Sequence, residues 1–163
     1  MPLPFISKPP ILNSRHPKLS SMDILAIPFH KFLHFEKHPG EIYFFEAKER
    51  PEYLNHLQTI HACVQLALAE ASSGEFLLQE FQEHKDNVIP VIRKTEAKYH
   101  RPAKGTLYSK AGLLSPKKAE VLDALSHKRR TIVQIKVEIF NEEKLKVMTT
   151  IFDWFLAWAD RLP

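Results

Sequence analysis

The stretch NHLQTIHACVQLALAEASSG, Asn55 to Gly74, decides the fold. It opens polar, through Asn55, His56, Gln58 and Thr59, and then turns apolar apart from His61, Gln65 and Glu70. Apolar residues on nearly every side describe a buried helix and not a one-faced surface helix. That helix is predicted to begin near Thr59 and to run to about His84, with Gly74 as a weak point or a kink within it. A carboxylate on such a helix is costly unless it is paired, so Glu70 demands an explanation.

Outward from this helix, the bulk properties set the class. A chain of 163 residues is most simply one domain, large enough for a proper core. With 44% hydrophobic and 26% charged residues, it reads as globular and not as disordered. The net charge of +4 permits an anionic ligand but does not call for nucleic acid. Cys63 is the only cysteine, which excludes an internal disulfide and suits a reducing compartment. No apolar run is long enough to span a membrane, and MPLPFISKPP lacks the pattern of a signal peptide. The expected location is cytoplasmic, with no membrane association.

Pro2, Pro4, Pro9, Pro10 and Pro17 forbid regular structure over residues 1–20, which read as an extended arm before a single domain over 21–163. A helix is predicted after Ser20-Ser21, with Asp23 near its positive end, running to about Pro28 or resuming beyond it. Pro39-Gly40 signals a turn, and Glu41 to Lys48 has aromatic strand character. Downstream of the central helix, Val88 to Tyr99 and the run TLYSKAGLL read as strands joined by a turn at Arg101 to Gly105. A short helix follows from Ser115, with Glu120 in its first turns. The clearest strand alternates Val133, Ile135, Val137 and Ile139 with Gln134, Lys136 and Glu138. Asn141-Glu142-Glu143 turns it into a final strand from Lys144 to about Ala157, whose DWFLAW end fits strand or helix. Antiparallel strands with one segregated long helix indicate an α+β fold, and a sheet wrapped around that helix explains its apolar surface.

At this point several short motifs fall in a familiar order. The chain resembles the hotdog-fold acyl-CoA thioesterases, particularly the PaaI-type branch and its less characterised relatives. Asn55, Thr59 and His61 stand where that branch carries an Asn, a Gly-Thr pair and a His-Gly-Gly opening of the central helix. Leu68-Ala69-Glu70 is similar to its acidic phrase, and Lys98 to Gly105, KYHRPAKG, resembles its turn between strands. Gln58 stands where a glycine is usual, and Ala62-Cys63 replaces Gly-Gly, which keeps the backbone N–H but narrows the space beside it. The resemblance covers roughly residues 40–157 and implies a hotdog fold acting on acyl-CoA or acyl-carrier-protein thioesters. It implies no resident cofactor, coenzyme A being part of the substrate.

Thioester hydrolysis needs an activated water or a carboxylate nucleophile, and donors for the developing oxyanion. The resemblance assigns the first part to Glu70, as base or nucleophile, and a carboxylate held in apolar surroundings is a stronger base. The Ala62 N–H, in the first turn of the helix where such donors are unpaired and the dipole is positive, suits the second. Asn55 is expected either to orient water or to serve as a turn residue. His61 is expected to transfer a proton or to be a satisfied interface histidine. At 100° and 1.5 Å per residue, Glu70 lies opposite His61 and roughly 13 Å further along the axis. One helix therefore cannot assemble both halves. This predicts a homodimer with composite sites, and the resemblance implies the same, commonly as a dimer of dimers.

The phosphates of coenzyme A need cations, for which Arg101, Lys104 and the run Lys128-Arg129-Arg130 are candidates. That run is otherwise a solvated face. His30, His34 and His38 recur every four residues and could share a helical face, but are read as surface residues and not as metal ligands. Cys63 is expected to be a small buried hydrophobe. The leading reading is an acyl-CoA thioesterase, and the alternative is a non-catalytic hotdog module that binds acyl thioesters. A dehydratase of the same fold would carry its histidine and acid at another spacing.

Overall fold

The computed structural model describes residues 22–82 and 88–158. The proline-rich arm, the Ser20-Ser21 helix start and His84 lie outside the described residues.

The core is built by the two strands whose alternation is plainest. In β5 (Arg130–Phe140), Val133, Ile135, Val137 and Ile139 are fully buried, as the period of two requires. Its hairpin partner β6 (Lys146–Trp158) sets Trp154, Phe152, Thr150 and Met148 opposite those four residues, in that order. The ambiguous DWFLAW segment is therefore strand, held between two neighbours. The turn at Asn141-Glu142-Glu143 closes with Lys144 in the left-handed region, at φ 60°, so β6 begins at Lys146 and not at Lys144.

Two long strands flank this pair. β3 (Val88–Tyr99) runs antiparallel to β6, and β4 (Leu107–Ser115) runs antiparallel to β5. Beyond β4 lie the short β2 (Phe45–Ala47) and β1 (Glu36–Lys37), giving the order β1-β2-β4-β5-β6-β3. The expected strand over Glu41 to Lys48 is thus cut to three residues. Phe45 and Ala47 carry its buried positions, while Glu41 and Ile42 are exposed in the turn before it.

The central helix α2 (Ala62–Glu80) packs against this sheet. It is shorter than predicted at both ends. Ile60 is drawn into a bridge with Leu54, His61 becomes the cap, and Phe81 closes the C-terminus with its N–H on Leu77 O. Small residues make the close approach possible, since Ala69, Ala71, Ser72, Ser73 and Gly74 are all buried. Gly74 leaves the helix unbroken, and a Cβ there would meet Ile24 Cδ1 at 3.3 Å. The Ser72 hydroxyl lies 2.8 Å from Leu68 O and 2.6 Å from Ser109 Oγ, while Ser109 Oγ is 3.1 Å from both Phe45 N and Phe45 O. Trp154 Nε1 donates to Ser73 Oγ at 3.1 Å. These contacts pair the buried hydroxyls of Ser72, Ser73 and Ser109 across α2, β4, β2 and β6.

The chain before the sheet folds back on α2. Asp23 caps a single 3-10 turn, Ile24–Ala26, and Pro28 opens the short helix α1 (Pro28–Phe32) at a position where proline is favoured. The helix predicted after Ser20-Ser21 is thus split at Ile27, and the three histidines do not share a face. His30 lies in α1, His34 follows it at φ 48°, and His38 comes after β1. The last helix, α3 (Lys118–Lys128), turns Val121 and Leu125 into the core and ends on Arg129 in the left-handed region. An antiparallel sheet packed on one long helix in this order is the hotdog fold, of class α+β. No helix among the described residues is long and apolar enough to cross a membrane.

Candidate active site

The loop from Asn55 to His61 prepares the N-terminus of α2. Asn55 Oδ1 accepts from Leu57 N at 2.9 Å and Thr59 N at 3.2 Å, and Asn55 Nδ2 donates to Thr59 Oγ1 at 3.0 Å. Asn55 is therefore a turn residue that closes its own loop. Gln58 sits at φ 55°, in the left-handed conformation that glycine adopts most easily. His61 donates its backbone N–H to Tyr53 O at 2.7 Å, and its Nδ1 accepts from Cys63 N at 3.1 Å. A histidine ring thus performs the capping task usually given to Ser or Asp.

Ala62, next in the chain, is exposed, and among the described residues no acceptor faces its N–H. Cys63 is exposed too, contrary to the expected buried hydrophobe, while Val64 and Gln65 after it are buried. The turn after β3 docks beside it. Ile60 N donates to Ala103 O at 2.8 Å, and the Tyr99 hydroxyl donates to Ala62 O at 3.3 Å. Arg101 and Lys104 flank Ala103 and are exposed near this helix end. The turn ends on Gly105 at φ 71°, whose N–H donates to Glu49 Oε2 at 2.7 Å. Glu142 takes the next donor, Thr106 N, at 2.8 Å. That hydrogen bond holds the Glu142 carboxyl below its ordinary range.

Glu70 stands in the middle of α2 with its side chain 37% exposed, so it is less buried than the sequence pattern implies. At Glu70 the helix meets the short helix α1, through His30. The Glu70 Oε2 lies 2.9 Å from Nε2 of His30, which is 3% exposed. The His30 Nδ1 lies 2.8 Å from Ile24 O. Burial opposes a charge on this imidazole, but the hydrogen bonds from Glu70 and Ile24 and the Glu70 charge outweigh it, so His30 titrates above its ordinary value. His30 is the residue that the sequence reading missed, having placed it on the surface. The one signal was that Glu70 needed a partner, and nothing in a separation of 40 residues indicates which.

The remaining cations stand elsewhere. Lys128, Arg129 and Arg130 join α3 to β5, and Arg130 pairs with Ala157 at the far end of the sheet. The guanidinium of Arg129 lies 4.7 Å from the Trp158 ring centroid. Along β5 from Arg130 to Ile139, the level of Tyr99, is about 30 Å at 3.4 Å per residue. The fold therefore gathers Asn55, His61, Ala62, Arg101 and Lys104 at one end of α2. It pairs Glu70 with His30 in the middle and leaves Lys128, Arg129 and Arg130 at the other end.

The family described as "Domain of unknown function (DUF4442)" matches residues 38–156. The chain belongs to this family. Among curated protein sequences, none matches this DUF4442 member. Its fold is similar to that of a Pseudomonas aeruginosa protein of unknown function called a probable thioesterase. The TM-score is 0.71 at 17% identity, over 83% of this chain and 91% of that one. It is also similar to a thioesterase from Haemophilus influenzae, with a TM-score of 0.64 at 15% identity, over 83% and 86% of the two chains. A third likeness is to a Streptococcus pneumoniae protein, named a hypothetical thioesterase and solved with coenzyme A. Here the TM-score is 0.55 at 17% identity, over 76% and 84%. At these identities the likeness establishes the hotdog fold of the DUF4442 chain.

Proposed function

We propose that this protein is an acyl-CoA thioesterase in which Glu70 activates water, or attacks directly, at a thioester carbonyl. The observation that carries this reading is the Glu70 carboxylate itself, anchored through Oε2 by His30 yet partly open to solvent midway along the central helix. Such a group is positioned and accessible, as a base must be. As water adds to the carbonyl carbon, Glu70 takes its proton and the carbonyl oxygen becomes an oxyanion. The Ala62 N–H of a second copy donates to that oxygen. Collapse breaks the C–S bond, and the coenzyme A thiolate leaves and is protonated.

The second copy is part of the proposal. β3 is an edge strand, and its Thr95, Ala97 and Tyr99 lie opposite buried Phe152, Thr150 and Met148, on the side of the sheet that faces α2. They are nevertheless exposed, as are Ala62 and Cys63 nearby. A partner covering this area would bring its own helix N-terminus toward Glu70. Arg101 and Lys104, beside that N-terminus, are suited to the phosphates of coenzyme A, whose presence in the Streptococcus pneumoniae relative supports the ligand class. Lys128, Arg129 and Arg130 are less well placed for the same phosphates. The alternative, a module that binds acyl thioesters without hydrolysing them, rests on Ala62-Cys63 in place of a smaller pair.

The test is thiol release from a panel of acyl-CoA thioesters of increasing chain length. The wild-type protein is expected to turn over at least one of them, and Glu70→Gln to lose on the order of 100-fold or more in kcat. Binding without turnover supports the alternative. Full activity in Glu70→Gln removes the carboxylate from the mechanism.

A further inference from the structure

The His30 ring has an oxygen partner at each nitrogen, and the two partners differ in what they can do. Ile24 O, 2.8 Å from Nδ1, is a carbonyl and can only accept, so Nδ1 carries a hydrogen. A neutral imidazole then has none left for Nε2, whose lone pair would face Glu70 Oε2 at 2.9 Å. Two lone pairs at that distance repel. The contact is attractive only with a proton between Nε2 and Oε2, as imidazolium beside carboxylate or as imidazole beside carboxylic acid.

We propose that His30 is the positioning residue for Glu70: with Nδ1–H committed to Ile24 O, it shares one proton with Oε2, fixes the carboxylate, and leaves Oε1 to receive the proton of the attacking water. This rests on the thioesterase reading for its kinetic consequence, but the shared proton itself is a property of the folded protein alone. The surroundings favour it. The rings of Phe29 and Phe35 lie 6.4 and 6.1 Å from the imidazole centroid, and α1 is seated on the 3-10 turn and on α2. The other titratable groups on these elements point elsewhere. Asp23 binds Leu25 N, Lys31 and His34 are exposed, Cys63 is exposed at the first turn of α2, and Glu75 bonds Gln79. Glu80 pairs with Lys118, which leaves Glu70 as the charge that acts on the ring.

The pair then sets an alkaline limit. Protonated His30 is held above its ordinary value, so the bridge is lost only as pH rises through that raised value, when Nε2 and Oε2 repel and the carboxylate is released. Imidazole ¹⁵N resonances of the full chain, followed against pH, test the proton directly. At pH 6.5 most His30 rings are expected to carry both ring hydrogens, and in Glu70→Gln the titration is expected to move down, to or below that ordinary histidine value. An Nε2 and a Glu70 carboxyl that are both unprotonated at pH 6.5, or a titration unmoved in Glu70→Gln, overturns the proposal.

The kinetic arm uses His30→Leu and His30→Gln. Loss of positioning in His30→Leu is expected to cost roughly 100-fold in kcat with KM little changed. His30→Gln, which keeps a donor but cannot titrate, is expected to recover most of that loss and to abolish the alkaline fall of kcat. A His30→Gln profile that keeps the same alkaline fall counts against His30 as its origin. Absence of turnover in the wild type would refute the thioesterase reading while the resonance result still decides the shared proton.

Discussion

At the scale of single residues, the proposed site depends on one backbone hydrogen, that of Ala62, which no side-chain substitution can isolate except substitution by proline. Ala62 is the first residue of α2, the position where proline is favoured because its missing N–H costs the helix nothing. The preceding His61, at φ −57° and ψ 141°, already has the extended conformation that a following proline demands. Ala62→Pro is therefore expected to fold with unchanged circular dichroism while losing roughly 100- to 1,000-fold in kcat, the effect of deleting one oxyanion donor. Undiminished turnover would place the oxyanion elsewhere. The His30–Glu70 pair also makes a stability statement. A histidine whose folded value is raised stabilises the native state fully below the ordinary value of 6.5, and this contribution fades as pH rises through the higher folded value. Gln58 illustrates a third kind of residue effect, a left-handed backbone occupied by a side chain where glycine would be easier.

At the scale of elements, the position of Glu70 depends on how closely α2 lies on the sheet. That approach is bridged by the Ser72 and Ser109 hydroxyls, 2.6 Å apart and fully buried, with Ser109 also serving both backbone groups of Phe45. Ser109→Ala leaves the Phe45 N–H and O without that partner in a dry interior. A loss of about 1–3 kcal/mol in unfolding free energy is expected by denaturant titration. A change within a few tenths would mean that neighbouring groups compensate. α1 is the weaker element, five residues long with Phe29 and Phe32 exposed. It holds its place through His30, Phe35 and the Ile24 turn packed on Gly74.

At the scale of the whole molecule, the decisive quantity is the distance between the two halves of the site along α2. Glu70 lies in the middle and Ala62 at the start of one rigid helix, so the proposed chemistry requires a second copy. This is testable by complementation. Glu70→Gln and Ala62→Pro, each nearly inactive alone, are expected to recover activity when unfolded together and refolded as a mixture. Half of the resulting dimers pair one variant with the other, and each such dimer has one intact site of two. The mixture should therefore reach about a quarter of wild-type activity. A mixture no better than its components would mean that both groups act within one chain, or that one of them does not act.

Much of this molecule was legible before its structure. The alternation in β5 and the apolar run of α2 specify their elements locally, because such patterns are properties of consecutive residues, whereas the apolar DWFLAW end of β6 fitted strand or helix. The Asn55 turn was legible for the same reason, since its hydrogen bonds join residues only a few apart, whereas Thr59 to His61 read as helix and are loop. The short elements were not. β1, β2 and α1 are held by partners distant in sequence, and no local period marks them. The sequence alone determined that a long helix would be enclosed by an antiparallel sheet and that the carboxylate within its apolar stretch, Glu70, would need a partner. Only the tertiary structure decided that the partner is His30, because that choice depends on where the chain before the sheet folds back over α2, and no spacing of residues encodes it.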